Sequence, residues 1–246
     1  MSINVLGNEV TSADIYSDGT YEKSIVRNGL YLYLDAGDET SYPGTGTSWY
    51  DLSGYNAHAT LYGTITWGTV SGATAFTHSV AGRTAWGMFS GGTPSTECTI
   101  ETWVALSGSE IAGGGTDRGS MVLQHNGGDG IYHSYNRSSY DQSNYWYAHQ
   151  PQGYHESGDP ITIQRWHQIV GVWDNRNMYQ WIDGTLTSVD NVVGVSTPNA
   201  AYWIGGENGS SRYFAGYMAI VRLYNRALHP YEIGENFQAN RGRFSI

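Results

Sequence analysis

Short strand-like runs separated by glycine-rich turns recur along most of this chain. Aromatic residues make up 14% of the chain, and its 33 glycines and many tyrosines suit strands joined by tight turns. Many short strands with almost no helical period predict an all-β sandwich or barrel. The runs are Leu30–Leu34, His58–Ile65, Ala73–Phe76, Cys98–Leu106, Met121–Gln124, Tyr145–His149, His167–Trp173, Met178–Ile182, Ala201–Ile204 and Tyr213–Tyr224.

The clearest local pattern is a β-meander in the second half of the chain. Two apolar runs, Trp166–Trp173 and Met178–Ile182, are joined by a short polar connection. Asp183-Gly184 then follows the second run, and this dipeptide supplies the positive φ values that a two-residue hairpin turn requires. We therefore predict a hairpin turn at this dipeptide.

One helix is predicted near the C-terminus, over His229–Phe237. Pro230 suits the first helical position, and Glu232 places a negative charge in the first turn. Ile233 and Phe237 are spaced to pack inward on one side of this helix. The helix closes the domain.

Five segments of the chain carry a family resemblance. They are Gly29–Gly37, Trp49–Gly54, Thr99–Val104, Trp166–Gly184 and Tyr217–Leu228. In this order they resemble the laminin-G-like, or concanavalin A-like, lectin/glucanase jelly rolls over roughly residues 28 to 243. The resemblance implies an antiparallel two-sheet jelly-roll sandwich with one short C-terminal helix, so that residues 28–246 form one laminin-G-like domain.

The resemblance has further implications. Members of this family bind glycans on a concave face or on rim loops, and some hold a structural calcium. Many have Thr or Ser where this chain has His229, because a hydroxyl caps the helix. We therefore expect a weaker helix cap here.

Residues 1–27 are polar and lack sustained periodicity, so we interpret them as an arm that precedes the domain. A disordered terminus and a segment that becomes ordered only against a partner both fit this composition, and we favour the second. The arm is then a docking or oligomerisation segment. An arm and abundant tyrosine both favour a homo-oligomer, with its symmetry left open.

Charge and apolar patterning restrict the partners. The formal net charge of −10 repels polyanions, so nucleic acid is a poor partner. No apolar stretch approaches a membrane-spanning length, and the N-terminus lacks a basic, then apolar, leader. Cys98 is the only cysteine and cannot form an intrachain disulfide. We expect synthesis in a cytoplasm.

One pattern raises the question of catalysis. Glu97, Thr99 and Glu101 fall on one face of a predicted strand, and some family relatives hydrolyse glycans with two glutamates in this spacing. Those relatives have an aspartate between the glutamates, where this chain has Thr99. Retaining hydrolysis needs an acid and a nucleophile with separated pKa values, and the middle carboxylate that tunes them is missing. The sequence favours a non-enzymatic protein.

Aromatic residues with polar tips are dense between positions 132 and 155, and such rings stack on sugars and donate hydrogen bonds. The alternative is that these rings build one sheet or a protein interface, and tyrosine counts do not separate the two. The candidate glycan-binding residues are Tyr135, Tyr145, Trp146, Tyr147, His149 and Tyr154.

Acidic residues at predicted loop positions can supply oxygen ligands for calcium, although no continuous calcium loop is present and solvated acids are the alternative. The histidines show no metal-ligand spacing. We name no metal ligand and expect no required cofactor, with structural calcium left open. The loop acids are Asp35, Asp38, Glu39, Asp51 and Glu207.

The polar arm, the jelly roll and the Asn225–Leu228 run before the closing helix together resemble structural accessory proteins of tailed phages. This resemblance implies a protein of the virion surface, such as a capsid decoration, fibre or tail adhesion module. Its arm would dock to capsid or tail proteins after synthesis in the host cytoplasm. A lectin module that recognises host polysaccharide is the alternative, and a glycoside hydrolase is the third hypothesis.

Overall fold

The computed structural model of the protein describes residues 3–5, 8–10, 24–78, 86–89, 97–107, 118–126, 129–136, 146–150, 153–156, 162, 164–191, 202–206 and 214–246. These residues form eighteen strands and one helix. The strands are β1 (Ile3–Val5), β2 (Asn8–Val10), β3 (Leu30–Asp35), β4 (Ser48–Trp49), β5 (Ala59–Tyr62), β6 (Thr66–Val70), β7 (Ala73–His78), β8 (Trp86–Phe89), β9 (Glu97–Leu106), β10 (Arg118–Asn126), β11 (Asp129–Asn136), β12 (Trp146–Gln150), β13 (Gly153–Glu156), β14 (Trp166–Asp174), β15 (Asn177–Ile182), β16 (Thr185–Asn191), β17 (Tyr202–Ile204) and β18 (Gly216–Tyr224), and the helix is α1 (Pro230–Phe244).

Two antiparallel sheets build the domain. The first, which we call the β10 sheet, has the order β13-β12-β11-β10-β17-β8-β5-β4. The second, which we call the β9 sheet, has the order β16-β15-β14-β9-β18-β7-β6, and β3 also pairs with β18. Strands that are neighbours in a sheet are often distant in sequence. The predicted antiparallel jelly-roll sandwich with one C-terminal helix is confirmed.

The largest apolar cluster joins residues of both sheets. Ile100 and Val104 of β9 belong to it, and so do Val122 of β10 and Ile204 of β17, all of them buried. Because side chains alternate along a strand, the odd-numbered residues of β9 occupy its other face. That face is buried as well, since Trp103 is fully buried in a second cluster.

Helix α1 covers this second face of the β9 sheet. The ring of Trp103 stacks on Phe244, with 4.4 Å between ring centroids, and on Phe237 at 6.0 Å. The helix begins at Pro230 as predicted, but it extends to Phe244 rather than ending at Phe237. Phe244 is 2% exposed, so the second half of the helix gains apolar burial that the predicted length would have lost.

The sequence located most strand segments and one turn correctly. Asp183 and Gly184 have φ values of 50° and 74° and join β15 to β16, which confirms the predicted hairpin turn. The prediction of one strand over His58–Ile65 is wrong. Gly63 has a φ of 80° and ends β5, and β6 then joins the other sheet. The positive φ at this glycine ends the strand and separates β5 from Ile65.

The N-terminal residues contain a small hairpin. Strands β1 and β2 pair with each other, Ile3 opposite Val10, and belong to neither large sheet. Further along the predicted arm, the Val26 N–H donates to Asn236 Oδ1 at 2.8 Å, and the Tyr224 hydroxyl donates to the Val26 carbonyl at 3.1 Å. The last residues of the arm are therefore anchored to the sandwich, and the division of the chain at residue 27 stays a prediction.

Candidate functional site

The Glu101 carboxylate, a candidate in the glycosidase hypothesis, is fully buried between β9 and α1. It accepts hydrogen bonds from four side chains, three of them through Oε1. The donors are Arg222 Nη1 at 2.8 Å, Trp103 Nε1 at 2.9 Å, Gln168 Nε2 at 3.0 Å and Asn236 Nδ2 at 2.7 Å. A carboxylate engaged in this way is committed to holding the helix and three strands together.

Arg222 forms the other half of this buried ion pair. Burial by itself lowers the pKa of the guanidinium, and the facing Glu101 carboxylate raises it. The pKa of Arg222 therefore lies above its usual value. The guanidinium also lies over the Tyr33 ring, 4.6 Å from its centroid. The guanidinium is therefore charged, and neither side chain of the pair is exposed to a substrate in solution.

The other two residues of the pattern lie in different surroundings. Glu97 is exposed at the start of β9. Thr99 is buried, and its hydroxyl donates to the Arg226 carbonyl at 2.9 Å and accepts from the Leu228 N–H at 3.0 Å. Thr99 therefore anchors the segment that leads into α1.

Asp51, one of the loop acids considered for calcium, organises its own turn. Its carboxylate accepts the N–H groups of Tyr33 at 2.8 Å, Ser53 at 2.9 Å and Ala57 at 3.2 Å. The Ser53 hydroxyl donates to it at 2.6 Å. These bonds occupy the oxygens that a calcium ion would need.

Two more of these acids have partners within the chain. Asp35 pairs with Arg243 at 2.7 Å and accepts the Gly37 N–H at 2.8 Å, and Asp38 accepts the Thr40 N–H at 2.8 Å. Among the residues that the structure describes, no three His, Cys, Asp or Glu side chains form a group able to hold a metal ion. Glu39 is exposed, and Glu207 lies outside the described residues.

Most of the candidate glycan-binding residues lie on three neighbouring strands of the β10 sheet. Backbone register pairs Tyr135 of β11 with Trp146 of β12, and it pairs His149 of β12 with Tyr154 of β13. Tyr147 of β12 pairs with Ser134 and with Glu156. Tyr145 lies outside the described residues.

The register separates these candidates into two sets. Val122 pairs with Ile204 and with His133, so His133 and Tyr135 occupy the core side of the sheet by alternation. Trp146, directly opposite Tyr135, occupies the same side. The sequence does not separate these two residues from the other candidates, because the face that each aromatic residue occupies depends on the pairing of β11 and β12 with their partner strands.

The second set occupies the opposite side of the sheet, which we call the outer face. Trp203 is only partly buried, whereas its neighbours Tyr202 and Ile204 are 1% exposed, so Trp203 marks this face. Trp203 pairs with Leu123, which pairs with Tyr132. Tyr132 pairs with His149, which in turn pairs with Tyr154. We call these five residues the cross-strand row. Tyr147 lies on the same face, two positions along β12 from His149.

Three members of the cross-strand row are not among the candidate glycan-binding residues that the sequence suggested: Trp203, Leu123 and Tyr132. The run Ala201–Ile204 predicted a strand. Alternation along this strand places Trp203 on the opposite face from Tyr202 and Ile204. The sequence does not reveal the strand order β17-β10-β11, which brings Trp203 next to Leu123.

Two other residues with reactive side chains, Cys98 and His167, are buried in the described part of the chain. Cys98 is 2% exposed, and burial raises the pKa of its thiol. His167 Nδ1 lies 2.9 Å from Asp183 Oδ2, which ties β14 to the hairpin turn. No helix in the described part of the chain is long and apolar enough to cross a membrane.

Solved structures with a similar fold include several binding domains, although all share little sequence with this chain. Domain 4 of AbnA, a GH43 extracellular arabinanase from Geobacillus stearothermophilus solved with arabinotriose, has a TM-score of 0.62 and 14% identity, covering 85% of this chain and 98% of that one. The binding domain of Paraclostridial Mosquitocidal Protein 1 has a TM-score of 0.64 and 13% identity, covering 86% and 52%. Trypanosoma rangeli sialidase has a TM-score of 0.61 and 16% identity, covering 89% and 34%.

The chain therefore spans about half of the mosquitocidal binding domain and a third of the sialidase. No curated protein sequence matches it. A family model described as the concanavalin A-like lectin/glucanases superfamily matches residues 81–234, which is more than half of the 246 residues. The chain belongs to the concanavalin A-like lectin/glucanases superfamily.

Proposed function

We propose that this protein is a non-enzymatic carbohydrate-binding module and that the outer face of the β10 sheet is its binding surface. The observation that carries the proposal is the cross-strand row. By register it contains Trp203, Tyr132, His149 and Tyr154 on one face. Tryptophan, tyrosine and histidine combine an apolar ring with a hydrogen-bonding tip, which is the chemistry that a sugar ring and its hydroxyls require.

The size of the row also suits a saccharide chain. Neighbouring strands lie about 4.8 Å apart, so a row from β17 to β13 extends for roughly 19 Å. Domain 4 of the arabinanase, which has a similar fold, was solved with a trisaccharide. This neighbour supports a carbohydrate ligand, and the register of our chain suggests where it lies.

The buried Glu101 supports a binding role over hydrolysis. A glycosidase needs a carboxyl group within reach of the glycosidic oxygen. Glu101 instead accepts a hydrogen bond from Arg222 in a buried ion pair beneath α1. Of the two glutamates in the pattern, only Glu97 is exposed, and one carboxylate does not supply both an acid and a nucleophile.

A glycan array with matched tyrosine variants tests the binding surface. We expect the wild-type protein to bind a defined set of polysaccharides and Tyr154→Ala to lose most of this binding. Tyr135→Ala is the matched control, because register places Tyr135 on the other side of the sheet, and this variant should retain binding. Loss of binding in Tyr135→Ala alone, or no binding by the wild-type protein, would contradict the proposal. Circular dichroism confirms that each variant is folded.

A second function, attachment to a phage particle, is favoured by the N-terminal hairpin. In the described residues β1 and β2 pair only with each other and form a two-stranded sheet of their own. We propose that residues 1–23 dock the protein to capsid or tail proteins, and that the sandwich is displayed on the virion surface. Val26, which contacts Asn236, stays with the domain.

Truncation tests this second function independently of glycan binding. A variant lacking residues 1–23 should fold, bind the same glycans and fail to co-sediment with phage particles or their major shell protein. Co-sedimentation that is unchanged by the truncation would remove the docking role of the arm. Glycan binding that disappears with the arm would instead place part of the binding surface there.

A further inference from the structure

Strand β6 is an exposed edge of the β9 sheet. It pairs with β7 in a regular register from Thr66 opposite Thr77 to Val70 opposite Ala73. On its other side no strand pairs with it in the described part of the chain. Thr66, Trp67 and Thr69 are exposed along this edge.

This edge lacks the features that usually prevent edge-to-edge pairing, which are charged side chains, proline and β-bulges. The sequence of β6 is Thr-Trp-Gly-Thr-Val, and its register has no irregularity. The edge strand at the opposite end of the same sheet, β16, differs on both counts. It carries Asp190, and its pairing with β15 is irregular between Gln180 and Trp181. The β9 sheet is therefore protected at one edge and open at the other.

The turn after β6 determines which backbone groups face outward. Ser71 and Gly72 have φ values of 47° and 86°, as in a two-residue hairpin turn, so Val70 and Ala73 form a hydrogen-bonded pair. Hydrogen-bonded and non-hydrogen-bonded pairs alternate along an antiparallel ladder. Trp67 and Thr69 therefore direct their N–H and C=O groups away from β7.

These outward N–H and C=O groups can form hydrogen bonds with the same groups on β6 of a second copy of the protein. If a two-fold axis passes beside Gly68, perpendicular to the sheet, Trp67 lies opposite Thr69 of the second copy and Thr69 lies opposite Trp67 of the second copy. Both pairs can then exchange N–H and C=O hydrogen bonds. Directly opposite residues share a face, so the two exposed tryptophans each gain a threonine neighbour.

Gly68 fits the centre of this arrangement. It would lie opposite Gly68 of the second copy as a non-hydrogen-bonded pair, in which the two Cα atoms approach to about 4.5 Å. Within its own chain a Cβ at this position would meet no atom within 4 Å, and the backbone is not in the left-handed region. The fold of one chain therefore does not require glycine here, and the open space beside Gly68 leaves room for a second copy.

We infer that the protein forms a symmetric dimer through antiparallel pairing of β6 with β6 of a second copy, which joins two β9 sheets into one continuous sheet. A two-fold axis perpendicular to that sheet keeps both β10 sheets on the same side. If the proposed function is correct, the two outer faces then point in one direction and can bind one polysaccharide or one surface with avidity. The dimer itself rests on β6 alone.

Light scattering during size-exclusion chromatography tests the dimer. Because the interface is small and each chain carries a net charge of −10, we expect it to form at high micromolar protein concentration and to weaken at low salt. The expected mass is about twice the 27.0 kDa of one chain. Gly68→Asp places two like charges at the axis and should give a folded monomer. Val189→Asp adds the same charge to the exposed edge of β16 and should remain dimeric. A monomeric wild-type protein, or a dimer that only Val189→Asp disrupts, overturns the inference.

Cysteine variants test the register, independently of glycan binding. A thiol introduced by Gly68→Cys lies opposite its own copy, at a Cα distance that suits a disulfide. The same thiol at Thr69→Cys lies roughly 8 Å from its copy, which is too far. Mild oxidation should therefore give a covalent dimer for Gly68→Cys and not for Thr69→Cys, while Cys98, which is 2% exposed, stays reduced. Equal crosslinking of both variants, or none for Gly68→Cys, contradicts the register.

Discussion

Glu101 of β9 and Arg222 of β18 form an ion pair of 2.8 Å in which neither side chain is exposed. The pair lies on the side of the β9 sheet that α1 covers, and Asn236 of the helix donates to the second carboxylate oxygen. A buried ion pair contributes little when it is compared with well-packed apolar residues, but it becomes costly when one partner is removed. This network therefore fixes where the helix docks on the sheet.

Replacing Glu101 by glutamine tests the structural role of the pair. Glu101→Gln leaves the Arg222 guanidinium buried without a counter-charge, so we expect the free energy of unfolding to fall by about 3–5 kcal/mol. Urea unfolding measures the loss. Glu97→Gln, at an exposed position on the same strand, should change stability by less than about 0.5 kcal/mol. Similar small effects in both variants would mean that the pair contributes nothing to docking the helix.

The same network shows what the sequence could predict. Alternation on β9 correctly placed Glu97, Thr99 and Glu101 on one face of a strand, because that information is local. The burial of Glu101 depends on Asn236 of the helix and Arg222 of β18, which are more than a hundred positions away. A spacing that resembles a catalytic pair is therefore a structural anchor, and no local pattern distinguishes the two.

The candidate binding surface could also be predicted only in part from the sequence. Runs of alternating residues predicted most strands, and Asp183-Gly184 predicted a turn, since both depend on neighbouring positions. The division of the aromatic residues between two faces depends on pairing between β10, β11, β12 and β17. Pairing of strands distant in sequence depends on the whole fold, so Trp203 could not be grouped with Tyr154 beforehand.

His78 should make the fold sensitive to acid. It is 4% exposed, neither ring nitrogen has a hydrogen-bond partner among the residues that the structure describes, and burial lowers its pKa from 6.5 to about 3. The folded protein therefore binds this proton less readily than the unfolded chain, so stability falls as the pH drops below 6.5. The loss is about 1.4 kcal/mol per pH unit, or about 2 kcal/mol near pH 5.

The control for this effect is His78→Leu, which removes the titrating ring. Urea unfolding of both proteins near neutral pH and near pH 5 separates the contribution of His78 from that of other groups. We expect the stability of the wild-type protein to fall more than that of the variant. Parallel pH profiles would mean that the protonated His78 finds a partner.

The start of α1 can be strengthened. Histidine is not among the residues preferred at the N-cap position that His229 occupies, although the His229 N–H donates to Glu232 at 2.8 Å and Pro230 occupies the first helical position. His229→Ser completes the Ser-x-x-Glu capping box, so we expect a gain of about 1 kcal/mol in the free energy of unfolding. Thermal and urea unfolding measure it, with His229→Ala as the uncapped control. Equal stability of the two variants would show that Glu232 already supplies all the capping the helix uses.

Chelation of divalent ions should leave the fold unchanged. Asp51 accepts the N–H groups of Tyr33 and Ser53, and Asp35 pairs with Arg243, so these carboxylates have partners within the chain. We expect the same Tm in excess EDTA and in millimolar calcium. An ion that binds only the folded state raises Tm with its concentration, so a calcium-dependent increase would identify a structural site that this prediction misses.

Gly184 couples the hairpin turn to the helix. It has a φ of 74°, and a Cβ added there would lie 3.1 Å from the Phe237 ring. Gly54 has a φ of 96° with open space around it, so Gly54→Ala measures backbone strain alone, which is about 1–2 kcal/mol. We expect Gly184→Ala to lower the free energy of unfolding by more than Gly54→Ala does, because the alanine also pushes against the helix. Urea unfolding gives both values, and equal losses would mean that Phe237 moves aside without cost and that the turn does not help to position α1.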